Sequence, residues 1–173
     1  DSMMIVERFE CGWNSCSTSP DGNTKAWYKL SLDTGGKAAF YIRSDDNIST
    51  TTSGAQDIRD GRWHYIVGEL DRSAGKARIY VDGAMRHEVN SLNGTISDAG
   101  SPLVIGKHAY NSQSGGTPEY FKGLIDEVAI YNGALTSDVV QNRYESGLAS
   151  RVRPAAPFVN STTSRTYEHL ITL

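Results

Sequence analysis

Ala77-Arg-Ile-Tyr-Val81 and Met85-Arg-His-Glu-Val89 are two short runs of strand-forming residues, and Asp82-Gly83 stands between them. An Asp-Gly pair tolerates positive φ at both central positions of a tight type I′ turn, so this stretch reads as a β-hairpin. The preceding segment, Trp63–Leu70, alternates with a period of two, placing Trp63, Tyr65 and Val67 on one side and His64, Ile66 and Leu70 on the other. Both of its faces carry apolar groups, which predicts a central strand with Trp63 in the core rather than serving as a sugar platform. Further strands are expected at Met3–Phe9, Ala26–Leu32, Ala38–Arg43, Leu103–Gly106 and Leu124–Tyr131. Gly, Asn, Asp and Ser interrupt these runs every eight to twelve residues, the rhythm of an all-β sandwich or barrel.

One helix is expected, from Ser137 as N-cap to about Glu145, with Asp138 in the first turn and Gly147 just past the end. After Gly147 the sequence becomes linker-like, and Tyr167–Leu173 alternates again as a final strand. The expected organisation is therefore a sandwich over 1–147 and a tail over 148–173. With 173 residues the chain suffices for one domain with a substantial core. Acids outnumber bases 20 to 17 and no Lys/Arg cluster is present, which argues against nucleic acid as a partner. No run approaches the roughly 18 apolar residues of a membrane helix, so membrane insertion is not expected.

The two cysteines, Cys11 and Cys16, lie five apart in a polar stretch, and the four histidines are scattered singly. A zinc site needs four ligands at two spacings, which this pattern lacks. A local disulfide holding the shape of a short loop is the leading reading, with a pair of free thiols as the alternative. A disulfide would place the chain outside the cytoplasm, secreted or on a cell surface.

The run Asp60-Gly-Arg-Trp-His-Tyr-Ile-Val67, then Gly75-Lys-Ala-Arg-Ile-Tyr-Val-Asp-Gly83, Leu103-Val-Ile-Gly106 and Phe121-Lys-Gly-Leu-Ile-Asp-Glu-Val-Ala-Ile-Tyr131 resembles the laminin-G-like and pentraxin-like domains of the concanavalin A superfamily. The resemblance implies a jelly-roll β-sandwich of two curved antiparallel sheets. It also implies a binding module, for carbohydrate or for adhesion, with a structural protein–protein module as the alternative and a glycan-active enzyme third. Glycanases of this superfamily carry Glu-x-Asp-x-x-Glu on one strand; here the nearest run is Glu69-Leu-Asp71-Arg-Ser-Ala74, with alanine at the place of the second glutamate.

In pentraxin-like members the ligand loops follow the first matched strand and precede the Gly-x-Ile-Asp strand. Here they correspond to Glu10–Thr24, with Trp13, Asp21 and Asn23, and Lys107–Tyr120, with Tyr110, Asn111 and Gln113. Aromatic, amide and carboxylate groups together suit a sugar ring and its hydroxyls. Asp126 alternates in phase with Leu124, Val128 and Ile130, so its carboxylate is expected to face an apolar side, satisfied by backbone N–H groups or by a calcium ion. The superfamily usually has further strands before Met3–Phe9. This predicts a sheet edge there that is covered by the C-terminal tail, by another chain or by additional residues.

Overall fold

The computed structural model describes residues 3–8, 27–44, 49–90, 96, 103–107 and 120–152. Eight strands and one helix lie among them: β1 (Met3–Arg8), β2 (Trp27–Leu32), β3 (Ala38–Arg43), β4 (Ser49–Ser53), β5 (Ile66–Asp71), β6 (Lys76–Val81), β7 (Ala84–Asn90), β8 (Leu103–Ile105) and α1 (Ser137–Val152). The strands form two antiparallel sheets, one ordered β4-β3-β2-β1-β8 and the other β5-β6-β7. This is the all-β, two-sheet architecture that the alternation predicts.

The core lies between the sheets. From the larger one come Ile5, Val6, Leu32, Ala38, Phe40 and Ile42, and from the smaller one Ala77, Ile79 and Val81. Gly68 in β5 lets the sheets approach: a Cβ at this position would meet the Phe40 ring at 2.5 Å. Any side chain at residue 68 would therefore have to displace the phenyl ring from the opposite sheet.

The Asp82-Gly83 hairpin forms as expected, with φ of 55° and 77° at its two residues and Val81 paired to Ala84. β4 has no counterpart in the sequence reading. Its residues, Ser-Thr-Thr-Thr-Ser, show no apolar alternation and are recruited by pairing with β3 from Ala39↔Ser53 to Arg43↔Ser49.

Four expectations need correction. The segment Trp63–Leu70 enters its sheet only at Ile66, and β6, not β5, is the middle strand of the three. The predicted edge at Met3–Phe9 is interior, because β1 lies between β2 and β8, with Val6↔Ile105 and Arg8↔Leu103 in register. Leu124–Tyr131 joins no ladder among the described residues. The helix runs through Gly147 to Val152, and its first turn is capped by Thr136, whose Oγ1 accepts the Val139 N–H at 3.4 Å. A cap one residue earlier satisfies the same unpaired helix donors.

The helix sits against the hairpin end of the smaller sheet. Val140 is fully buried, Tyr144 stacks on Tyr65 with ring centroids 6.5 Å apart, and the Arg143 guanidinium lies 4.8 Å from the Tyr131 ring centre. Tyr80, on the face of β6 opposite Ile79, is only 1% exposed.

Candidate functional site

Trp13, Asp21, Asn23, Tyr110, Asn111 and Gln113, together with Cys11 and Cys16, lie outside the described residues. The strands that carry their loops are described. The first loop leaves β1 after Arg8, opposite Leu103, whereas the second begins at Lys107, just past the Gly106 N–H that donates to the Ile5 carbonyl at 2.9 Å. The strands are antiparallel, so the two loops leave from opposite ends of the β1–β8 pair: the register sets Lys107 opposite Met4, four residues from Arg8, or about 13 Å along the strand at roughly 3.3 Å per residue. An antiparallel bridge from Lys107 to Tyr120 closes the base of the second loop.

Asp126 departs from its expected environment. It is exposed, and its Oδ1 accepts the N–H of Glu127 at 2.8 Å. Glu127 has φ of 51°, which breaks the period of two: Ile125 and Val128 pack toward the core, while Leu124 is 77% exposed. Among the described residues, no three His, Cys, Asp or Glu side chains gather to hold a metal ion.

Two clusters of charged side chains are described in full. The first lies on the face of the smaller sheet that turns away from the larger one. Cross-strand register places Glu69, Arg78 and Glu88 side by side on β5, β6 and β7. Arg78 donates through Nη1 to Glu69 and, at 3.2 Å, to Asp71, and through Nε to Glu88 at 2.6 Å. Lys76 extends the chain to Glu88 at 3.3 Å. Glu69 is buried, and its Oε2 has no hydrogen-bond partner among the described residues.

The bonds to Glu88 and Glu69 hold the Arg78 guanidinium well above its ordinary pKa. The Ser73 hydroxyl and the Ala74 N–H, helped by Arg78, hold Asp71 at about 2. A carboxylate so stabilised as an anion is a poor proton donor at neutral pH.

The second cluster is an arc, residues 60–65, that leads into β5 beside the β6–β7 turn. His64 stands between two carboxylates, with Nδ1 2.8 Å from Asp82 Oδ2 and Nε2 3.0 Å from Asp60 Oδ1. The Asp82 Oδ1 accepts the Tyr65 N–H at 3.0 Å, and the Asp82 N–H donates to the Tyr65 carbonyl at 2.8 Å. Asp60 also accepts the Arg62 N–H at 2.9 Å.

Partial burial lowers the His64 pKa, but the hydrogen bonds and charges of Asp60 and Asp82 outweigh it and hold the ring above the ordinary histidine value. His64 in turn holds Asp60 below the usual carboxylate range. As an imidazolium, the ring donates to both acids at once.

Trp63 lies in this arc and is 46% exposed, not in the core. The alternation that suggests an inward indole holds from Tyr65 onward. Before it, the chain is bound by its polar side chains and follows no strand pleat. Asp82, which the sequence explains by turn geometry alone, is also the acceptor that ties the arc to the hairpin. The signal available in the sequence was an Asp four residues before His64 and a second Asp fixed in a turn.

With this geometry in view, comparison with known proteins places the chain in a family. The family described as the concanavalin A-like lectin/glucanases superfamily, in its laminin-G-like form, matches residues 10–141, about three quarters of the chain. The protein belongs to that family. No curated protein matches it.

Among solved structures, a segment (residues 221–444) of an S-layer domain-containing protein from Clostridium thermocellum ATCC 27405 is similar, at 21% identity and a TM-score of 0.45, over 79% of this chain and 67% of the other. The receptor-binding domain of botulinum neurotoxin type G is similar at 15% identity and a TM-score of 0.49, over 84% of this chain and 32% of the other.

Proposed function

We propose that the chain is a non-catalytic carbohydrate-binding module of a secreted or cell-surface protein. The family includes both lectins and glucanases. The observation that favours the first is Arg78. A glycanase of this fold needs one strand carboxylate free to attack and another able to deliver a proton. Glu69 and Asp71, the nearest candidates, share the Arg78 guanidinium, and Asp71 is held at about 2. What remains is recognition, by aromatic and polar groups that stack on sugar rings and bind their hydroxyls.

In this reading Trp13, Asp21, Asn23, Tyr110 and Asn111 are candidate ligand contacts. Asp126, exposed and outside any three-residue acidic or histidine cluster among the described residues, does not by itself make a calcium site. A calcium ion there would take its other oxygen ligands from elsewhere, and thermal stability with and without chelator is the check.

A protein partner is the second reading. It is favoured by the exposed apolar side chains Leu103 and Ile105 on β8, with Tyr120 and Leu124 farther along the chain. A glycan array followed by calorimetric titration separates the two. Saturable sugar binding without release of reducing ends supports the proposal, silence across a broad array favours the protein partner, and sugar release would restore the glucanase reading.

A further inference from the structure

We propose that the arc 60–65 is itself a glycan-binding site, in which the exposed indole of Trp63 stacks on a pyranose ring while Asp60 and Arg62 bind its hydroxyls. The proposal rests on the carbohydrate-binding reading above and assigns that reading a site apart from the two loops.

Three observations carry it. The first is the combination of exposure and restraint. Trp63 is 46% exposed, yet the residues that follow it are fixed: His64 through both ring nitrogens, and Tyr65 through both its N–H and its carbonyl. On the other side, the Asp60 carboxylate accepts the Arg62 N–H. The backbone that carries the indole is thus held on both sides, and a preorganised support lowers the cost of ordering the site on binding.

The second is the rim. The Arg62 side chain is 83% exposed and that of Asp60 is 44% exposed, with the guanidinium Nε 3.9 Å from the carboxylate. Fork-shaped donors and paired acceptor oxygens beside an apolar face suit vicinal hydroxyls flanking a ring. The third is charge balance. Asp60 is offset by Arg62, and next to it Asp57 is offset by Arg59 at 2.6 Å. A rim without excess positive charge suits neutral hexose or pentose chains, not uronates or sulfated glycans.

The test is calorimetric titration of the wild-type chain with cellohexaose, xylohexaose, mannohexaose and, as a charged control, hexagalacturonate. At least one neutral oligosaccharide should bind. Trp63→Ala should weaken that binding at least tenfold, Trp63→Phe should recover part of it, and Arg62→Ala should give an intermediate loss. Trp63→Phe and Arg62→Ala leave the interior unaltered, so their Tm should stay close to wild type and keep the test readable even if Trp63→Ala lowers stability.

Neutral-sugar binding that is indifferent to Trp63→Ala and Arg62→Ala overturns the arc and leaves the carbohydrate-binding reading standing. Preference for hexagalacturonate overturns the neutral class. Absence of binding to all four overturns the arc as a neutral-glycan site, whereas the carbohydrate-binding reading falls only if the broad glycan array is silent as well.

Discussion

The two charged clusters differ in the base at their centre. On the sheet face, three acids surround Arg78, whose guanidinium is charged at any pH the fold survives. In the arc, two acids flank His64, whose charge depends on a proton exchanged near neutrality. The first cluster includes a buried Glu69 whose carboxylate is paired with Arg78. The second ties a surface segment to a hairpin turn. An acid–base network can thus be structural or responsive on one sheet, depending on which base nature places at its middle and how deeply the acids are buried.

Removing the centre of each network sharpens that contrast. Arg78→Leu strands the Glu69 carboxylate in the interior, and unfolding in urea should show a loss of about 3–5 kcal/mol. Adding Glu69→Gln to that variant should restore part of it; an unchanged midpoint in Arg78→Leu would mean that the network bears no load.

Asp82→Ala removes a residue suited to φ of 55° together with the acceptor for Tyr65 and His64, and should cost about 2 kcal/mol in thermal unfolding. Asp82→Asn keeps the turn and one acceptor, and should recover roughly half of that loss.

The pH responses should run in opposite directions. His64 is raised in the folded chain, so its contribution is complete below about 6.5, the unfolded value, and fades as pH rises through the folded one. Asp71 is depressed to about 2, so its contribution is complete above about 3.9 and fades as pH falls toward 2. Tm should therefore decline as pH rises above about 6.5 in wild type and stay flat over that range in His64→Gln, an effect smaller than either substitution above. The smallest effect belongs to Lys76→Ala, which removes a partly exposed contact to Glu88 at 3.3 Å and should cost about 0.2–1 kcal/mol in urea unfolding.

What the sequence made legible follows the same division. The hairpin at Asp82-Gly83 and the strands with apolar alternation could be read because local residue chemistry specifies them. β4 could not, since Ser49–Ser53 is polar and is ordered by its neighbour β3. The helix end is not legible at Gly147, because a glycine is tolerated within a helix at about 1 kcal/mol relative to alanine and alone does not reveal whether it caps.

Period-two reasoning turns Asp126 inward because it assumes a strand, and Glu127 with positive φ interrupts that strand. At the site, the same assumption places Trp63 in the interior. Its exposure depends on Asp60 and Asp82 gripping His64 from two segments, a contact that only the folded chain assembles. Glu69 and Asp71 read in the sequence as an incomplete catalytic run, but their shared Arg78 emerges only through the cross-strand register.

The most direct test of the binding account is an amide and indole chemical-shift titration of the full chain with the three neutral hexasaccharides. The account predicts saturable shifts of the Trp63 indole N–H and of the amides of residues 60–65, with Glu69, Asp71 and Arg78 undisturbed. Shifts centred on Glu69 and Arg78, or none at millimolar sugar, would contradict it.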